Sequence, residues 1–288
     1  MNGTPLFSVL IANYNNGCYL QEAIDSVMAQ NYTNWEIIIV DDKSTDNSFE
    51  IYSKFKDDSR FRIFYNDENK GAGFTKRRCV DESKGEICGF LDPDDTLNGV
   101  DVFDVMVQEH LDNPKASMVY SNMYKTDSSL NIQSEWYGKD IAEDDTVLES
   151  KGWPISHFVS FKKDLYNKTE GVDAFMLRAI DYDLYYKLEE VGYIIHVNRF
   201  FYNYRNTPNS ISLNDNLKKA HYWHVYACVK AMKRRSIRDE SLMFFPLEKD
   251  FRYSWREGYK SCCYTKTYRI GKLVSSPVRL IRKIFHKS

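Results

Sequence analysis

No G-x-G-x-x-G or P-loop pattern follows the first apolar run, so the glycine cradle on which dinucleotide and P-loop sites depend is missing. The six cysteines, at positions 18, 79, 88, 228, 262 and 263, contain no C-x-x-C pair, and no secretory signal precedes the first predicted strand. Reduced thiols and a cytoplasmic location are therefore the expectation. Apolar runs such as Ile37–Val40 are too short to span a bilayer. A net charge of −2 lacks the basic footprint of a nucleic-acid binder, so no nucleic-acid partner is expected.

What is present points to an alternating α/β chain. With 288 residues, 43% of them hydrophobic, the chain can build one large domain with an appendage. Phe7–Ala12, Trp35–Val40, Arg62–Tyr65 and Glu86–Leu91 are short, nearly continuous apolar runs, the signature of strands buried on both faces. Between them, Leu20, Ile24, Val27 and Met28 share a helical spacing. Asp46 is placed to cap a helix carrying Phe49, Tyr52 and Phe55. A third helix is predicted over Phe74–Ser83, closed by Gly85. This order predicts a mostly parallel sheet with right-handed crossovers, whose ligands bind at the carboxyl ends of the strands. Met118–Tyr124 is a further strand, and residues 125–150 read as an irregular polar loop. Asp181–Val191 is a helix, followed by strands over Tyr193–Val197 and Phe200–Tyr204. Beyond residue 213, Leu217, Ala220, Trp223, Ala227 and Ala231 share one helical face.

Two acidic pairs fall at predicted strand ends, Asp41-Asp42 and the turn Asp92-Pro93-Asp94-Asp95. Three carboxylates in four residues repel one another and push each other's pKa upward. A divalent cation, Mg²⁺ or Mn²⁺, relieves that repulsion and joins carboxylate to phosphate. Pro93 stiffens the turn. An Asp-rich turn that merely caps a helix is the bland alternative. The second acidic pair and the missing glycine loop favour the metal, with Lys76 and Arg77 as further phosphate charges.

The sequence resembles the family 2 glycosyltransferases, inverting enzymes of the GT-A fold. The resemblance rests on Phe7–Asn15, Trp35–Ser48, Asn69–Asp95, Ala179–Leu188 and Tyr202–Ser212, in that order along the chain. It implies a GT-A domain over residues 1–212; residues 213–288 lie outside the resemblance, and their shared helical face predicts a helical extension. It also implies a nucleotide-diphosphate sugar donor, with UDP as the nucleotide, and a saccharide or lipid-linked glycan acceptor. By position, Ala12, Tyr14, Asp42, Lys76, Asp92 and Pro93 would bind the nucleotide. Tyr14 would stack on the base, Asp42 would accept its N–H, and Asp92 would face the ribose or the nearby metal shell. Asp94, with Asp95, would hold the metal, and Asp181 would be the general base. Trp153, His157 and Arg205 are assigned to the acceptor side. The chain departs from the family pattern at Ala12 (commonly Pro), Lys76-Arg77 (Arg-Asn), Ile180 (an acid) and Thr207 (often His).

Asp183 lies two residues from Asp181, so the two point to different faces of their helix. His221 and His224 are three apart on a helix, a spacing that packing explains more often than metal binding. Ser276–Lys287 alternates apolar and basic residues, and no acidic residue follows Glu257. That segment could lie on anionic lipid as a peripheral membrane contact, or dock as an ordinary terminal helix. Two competing functions remain open: a sugar nucleotidylyltransferase, whose Gly-rich loop is absent at Asn13–Asn16, and a nucleotide-sugar-binding protein without catalysis.

Overall fold

The computed structural model describes residues 4–141, 145–150, 153–207 and 217–237. Nine strands form one sheet: β1 (Phe7–Asn13), β2 (Trp35–Asp41), β3 (Phe61–Tyr65), β4 (Ile87–Phe90), β5 (Thr96–Leu97), β6 (Ala116–Thr126), β7 (Ile132–Trp136), β8 (Val159–Lys162) and β9 (Tyr193–Arg205). Its order is β3-β2-β1-β4-β8-β6-β9-β5, with β7 paired to β6. The half built from β1 to β4 is wholly parallel, as the buried apolar runs predict. β8 then enters antiparallel to both β4 and β6, and the parallel pairing resumes between β6 and β9.

Helices cover both faces: α1 (Gly17–Met28), α2 (Ser48–Ser53), α3 (Ala72–Glu82), α4 (Val102–Asp112), α5 (Lys163–Tyr166), α6 (Ile180–Glu189) and α7 (Leu217–Arg234). Side chains alternate across a strand, so β1 sends Phe7, Val9 and Ile11 to a core shared with α1, α2 and α4. Leu10 goes to the opposite core, with α3, α6 and α7.

Several expectations change. Residues 125–150 are not all loop, because β7 pairs antiparallel with β6; its mostly exposed face hides the strand from an apolar-pattern reading. The two predicted C-terminal strands are one, β9, whose pairing with β6 shifts register near Asn122. Gly85 is not a left-handed helix terminus. A Cβ there would lie 2.5 Å from the Leu6 carbonyl and the Ser8 hydroxyl, so glycine is needed for close approach to β1. Phe49 is 67% exposed and Met28 is also exposed, so neither completes its helix's apolar stripe. α4 and β8 escaped the sequence reading, although Val102, Phe103, Met106, Val107 and His110 carry helical spacing and are buried. The N-cap of α2 is Asn47 rather than Asp46, although Asp46, one residue earlier, accepts the Ser48 N–H at 3.1 Å. Ala227 and Ala231 of α7 are buried against the core as expected, whereas Leu217's side chain and the Ser276–Lys287 segment lie outside the described residues. Among the described residues no helix is long and apolar enough to cross a membrane.

α7 is tied to α6 by buried charge. Asp183 and Lys187, one turn apart on α6, pair at 2.6 Å with side chains 0% and 1% exposed. Lys187 also donates to the Gly171 carbonyl at 2.7 Å. Lys230 of α7 reaches Asp183 at 3.3 Å and Asp173 at 2.5 Å. A buried carboxylate deprived of a partner costs about 3–5 kcal/mol. Lys187→Met is therefore expected to lower stability by about that much in urea unfolding, and Asp183→Asn added to it should recover part of the loss.

Candidate functional site

Site residues collect where β1, β2 and β4 end. Tyr14, just past β1, is 47% exposed, and Ala12 is partly covered at the end of the same strand. Asp41 accepts the Ser44 N–H and the Tyr52 hydroxyl, at 2.8 and 2.7 Å. Asp42 is only 3% exposed. It accepts three N–H groups, from the Asn66 side chain (2.7 Å), the Lys70 backbone (2.8 Å) and the Gly71 backbone (2.8 Å). Those bonds fix the loop that enters α3, where Gly71 takes φ 87° without steric cost. Asp42 thus stands behind this loop rather than open to a base.

The acidic turn after β4 uses its carboxylates unequally. Pro93 is buried in a turn closed by the Asp95 N–H on the Asp92 carbonyl, at 3.0 Å. Asp92 pairs with Lys76 of α3 at 2.7 Å. Burial raises the Asp92 carboxyl, but the Lys76 and His157 charges outweigh it and hold the group below its ordinary value. Asp95 was expected beside a metal, yet both of its oxygens are taken up inside the protein. It accepts the Tyr202 hydroxyl at 2.8 Å and the Arg205 backbone N–H at 2.7 Å. Burial, then the neighbouring Asp94 and Asp92 charges, push its carboxyl well above the usual range.

Arg205 also departs from expectation. It is 3% exposed and does not face an acceptor. Its guanidinium donates to the Asp94 carbonyl and the Ser128 carbonyl, each at 2.7 Å, and pairs with Glu22 of α1. A buried guanidinium needs all of these partners, and supplying them makes it a brace beneath the acidic turn. Glu22 and Tyr202 were missed because only the tertiary fold brings them to the turn.

Asp94 differs from its neighbours. Its one hydrogen bond to a side chain among the described residues comes from Thr207, at 3.3 Å, and no ion pair reaches it there. Burial, then the Asp92 charge, raise its carboxyl to about 6. No group of three or more His, Cys, Asp and Glu among the described residues is arranged to hold a metal alone. A site of one or two carboxylates completed by substrate phosphates is how Mg²⁺ is commonly bound, and the hard oxygen of Asp94 suits it.

A cavity opens beside the Lys76–Asp92 pair, and His157 and Asp181 share its rim. Asp181 sits in the first turn of α6, behind Ala179 in the left-handed conformation at φ 51°. An anionic side chain at that end is favoured by the helix dipole. Asp183 points away into the buried ion cluster, as helical geometry requires. Burial lowers the His157 pKa, and the Asp181 and Asp92 charges only partly offset it. Trp153, 37% exposed, stands against Tyr182 of α6 and His224 of α7, with ring centroids 4.9 and 4.4 Å away. Burial, then the neighbouring His221, push His224 down to about 4, as for a packed neutral imidazole.

The family model "Glycosyl transferase family 2" matches residues 8–170. Chondroitin synthase from Escherichia coli is 32% identical over 200 residues, 69% of this chain and 29% of that protein. The chain likewise spans 22% and 21% of a chondroitin synthase and a hyaluronan synthase from Pasteurella multocida. Two solved structures share the fold. TarS 1-349 from S. aureus in complex with UDP-GlcNAc has a TM-score of 0.64 and 14% identity, covering 88% of this chain and 79% of that one. The mannosyltransferase PcManGT from Pyrobaculum calidifontis, in complex with GDP-Man and Mn²⁺, has a TM-score of 0.59 and 14% identity, covering 96% and 77%.

The raised Asp94 carboxyl has a consequence for stability. Between its ordinary value, about 3.9, and about 6 the folded chain keeps a proton that the unfolded chain has lost. Its contribution therefore favours the native state less as pH rises through that window. Asp94→Asn removes the effect, so in urea unfolding with EDTA the variant should gain about 2 kcal/mol relative to wild type between pH 4 and pH 7. A difference that stays flat with pH would contradict the burial of this carboxyl.

Proposed function

The chain belongs to glycosyl transferase family 2, and we propose that it transfers a sugar, with inversion, from a nucleotide-diphosphate sugar to a saccharide or lipid-linked glycan. UDP is the proposed nucleotide, and residues 1–212 are the proposed transferase unit. The observation that carries this reading is the meeting of Lys76, Asp92, His157 and Asp181 in one cavity at the carboxyl ends of the strands, near Asp94, which no ion pair reaches among the described residues. Separate elements deliver an anion binder, acidic groups and a base to a single crevice.

In this reading Asp181 takes the proton of the acceptor hydroxyl. The acceptor oxygen forms its bond to the anomeric carbon from one face as the bond to the diphosphate breaks on the other. Asp94 is the residue that would hold Mn²⁺ or Mg²⁺, with Asp92 beside it. A bound cation would supply positive charge to the departing diphosphate. Lys76 already holds Asp92 at 2.7 Å, and its ammonium is the protein's own charge for the phosphates. Tyr14 offers an exposed ring to the base. Asp42 acts one step back, by setting the Lys70–Gly71 loop. Asp95 and Arg205 hold the acidic turn in place. The synthases among the relatives support polysaccharide assembly as the setting, and the Mn²⁺ complex of a fold neighbour supports a cation.

A nucleotidylyltransferase is disfavoured because a turn without glycine leads from β1 to α1, leaving no backbone cradle for a triphosphate. A binding protein without catalysis is separated by one variant. Asp181→Asn should reduce transfer at least about 10³-fold while leaving UDP affinity within about twofold. Radiolabelled sugar transfer and calorimetry with UDP read the two quantities. Near-normal turnover in Asp181→Asn removes the base assignment, and a wild-type chain that binds UDP-sugars but never transfers favours the binding protein.

A further inference from the structure

The cavity beside Asp92 and Asp181 has a polar rim and an apolar floor, and it is small. Phe90, Val159, Phe161, Val172, Ile180 and Leu184 supply its apolar lining, and Tyr185 lines it as well. Val159, Phe161, Val172 and Leu184 are buried. The enclosed space holds about one water-sized group. On the rim, the ring nitrogens of His157 form no hydrogen bond with any described residue; the ring only tilts against Tyr202, centroids 5.2 Å apart. An imidazole offers at least one N–H to whatever enters.

We propose that this cavity receives the methyl of a 2-acetamido group, so that the donor class is a nucleotide-diphospho-N-acetylhexosamine; the inference rests on the glycosyltransferase reading above. The methyl fills the apolar floor, and the amide carbonyl accepts the His157 N–H. Other common donors fit less well. The 2-hydroxyl of an unsubstituted hexose leaves the floor empty, or buries its polar group there without a partner. A uronate carboxylate brought to this rim meets the carboxyl groups of Asp92 and Asp181, and Lys76 of the same lining is already paired with Asp92.

Calorimetry on the full chain with Mn²⁺ and no acceptor tests this, using UDP, UDP-glucose, UDP-glucuronate, UDP-GlcNAc and UDP-GalNAc. At least one 2-acetamido donor is expected to bind about three- to tenfold tighter than UDP-glucose, the range set by burying one methyl. Val159→Phe fills the floor and should reduce that preference to near unity with UDP affinity unchanged. The wild-type panel decides the matter alone should Val159→Phe not fold. UDP binding with UDP-glucose as tight as both 2-acetamido donors, or tighter, overturns the acetamido assignment and leaves the transferase reading standing. Failure to bind UDP at all overturns the UDP-donor reading and the acetamido assignment with it.

Discussion

Carboxylates crowd the carboxyl edge of this sheet, and the structure around the cleft is organised by how each one is satisfied. Asp42 accepts three N–H donors and in return fixes the loop into α3. Asp92 is paired with Lys76, and Asp95 is held by Tyr202 and the Arg205 backbone. Asp183 is enclosed by Lys187 and Lys230. A buried charge without a partner costs several kcal/mol, so each pairing also locks the segments that supply it. Among the described residues Asp94 has a long hydroxyl contact from Thr207, and its carboxyl is raised to about 6. A buried carboxylate so thinly satisfied is a place where an external charge is readily accommodated.

The same rule explains how the proposed base is held. Asp181 needs a fixed helix end, and α6 obtains it from both sides. Ala179 sets the chain's entry, and the Asp183–Lys187 pair anchors the first turn from behind. α7 joins that anchor through Lys230, although it lies beyond residue 170, where the family match ends. α7 is therefore a structural partner of the helix that carries the proposed base.

Much of this was legible in the sequence because the parallel half of the sheet is buried on both faces. Continuous apolar runs such as Ile37–Val40 then announce a strand, and an acid following such a run sits at its carboxyl end. The Asp183–Lys187 spacing was equally visible, though its burial was not. Where one face meets solvent the signal fails, as in β7, whose exposed polar residues read as loop. Arg205 shows a second limit. Its residue type suits an acceptor site as well as a buried brace, and only Glu22, Ser128 and Asp94, far away in sequence, decide for the brace. Asp95 is alike, since its partners arrive on β9. Position in a motif identified the turn; the division of labour within it came from tertiary contacts.

The central claim is that Asp94 is the acid reserved for a cation that meets the nucleotide's phosphates. Calorimetric UDP binding at pH 7.5, with Mn²⁺ and then with EDTA, tests it most directly in wild type and Asp94→Ala. The account predicts wild-type affinity at least about tenfold higher with Mn²⁺, and no metal effect in Asp94→Ala. Equal wild-type affinity with and without the cation, or a metal effect that survives Asp94→Ala, would contradict it.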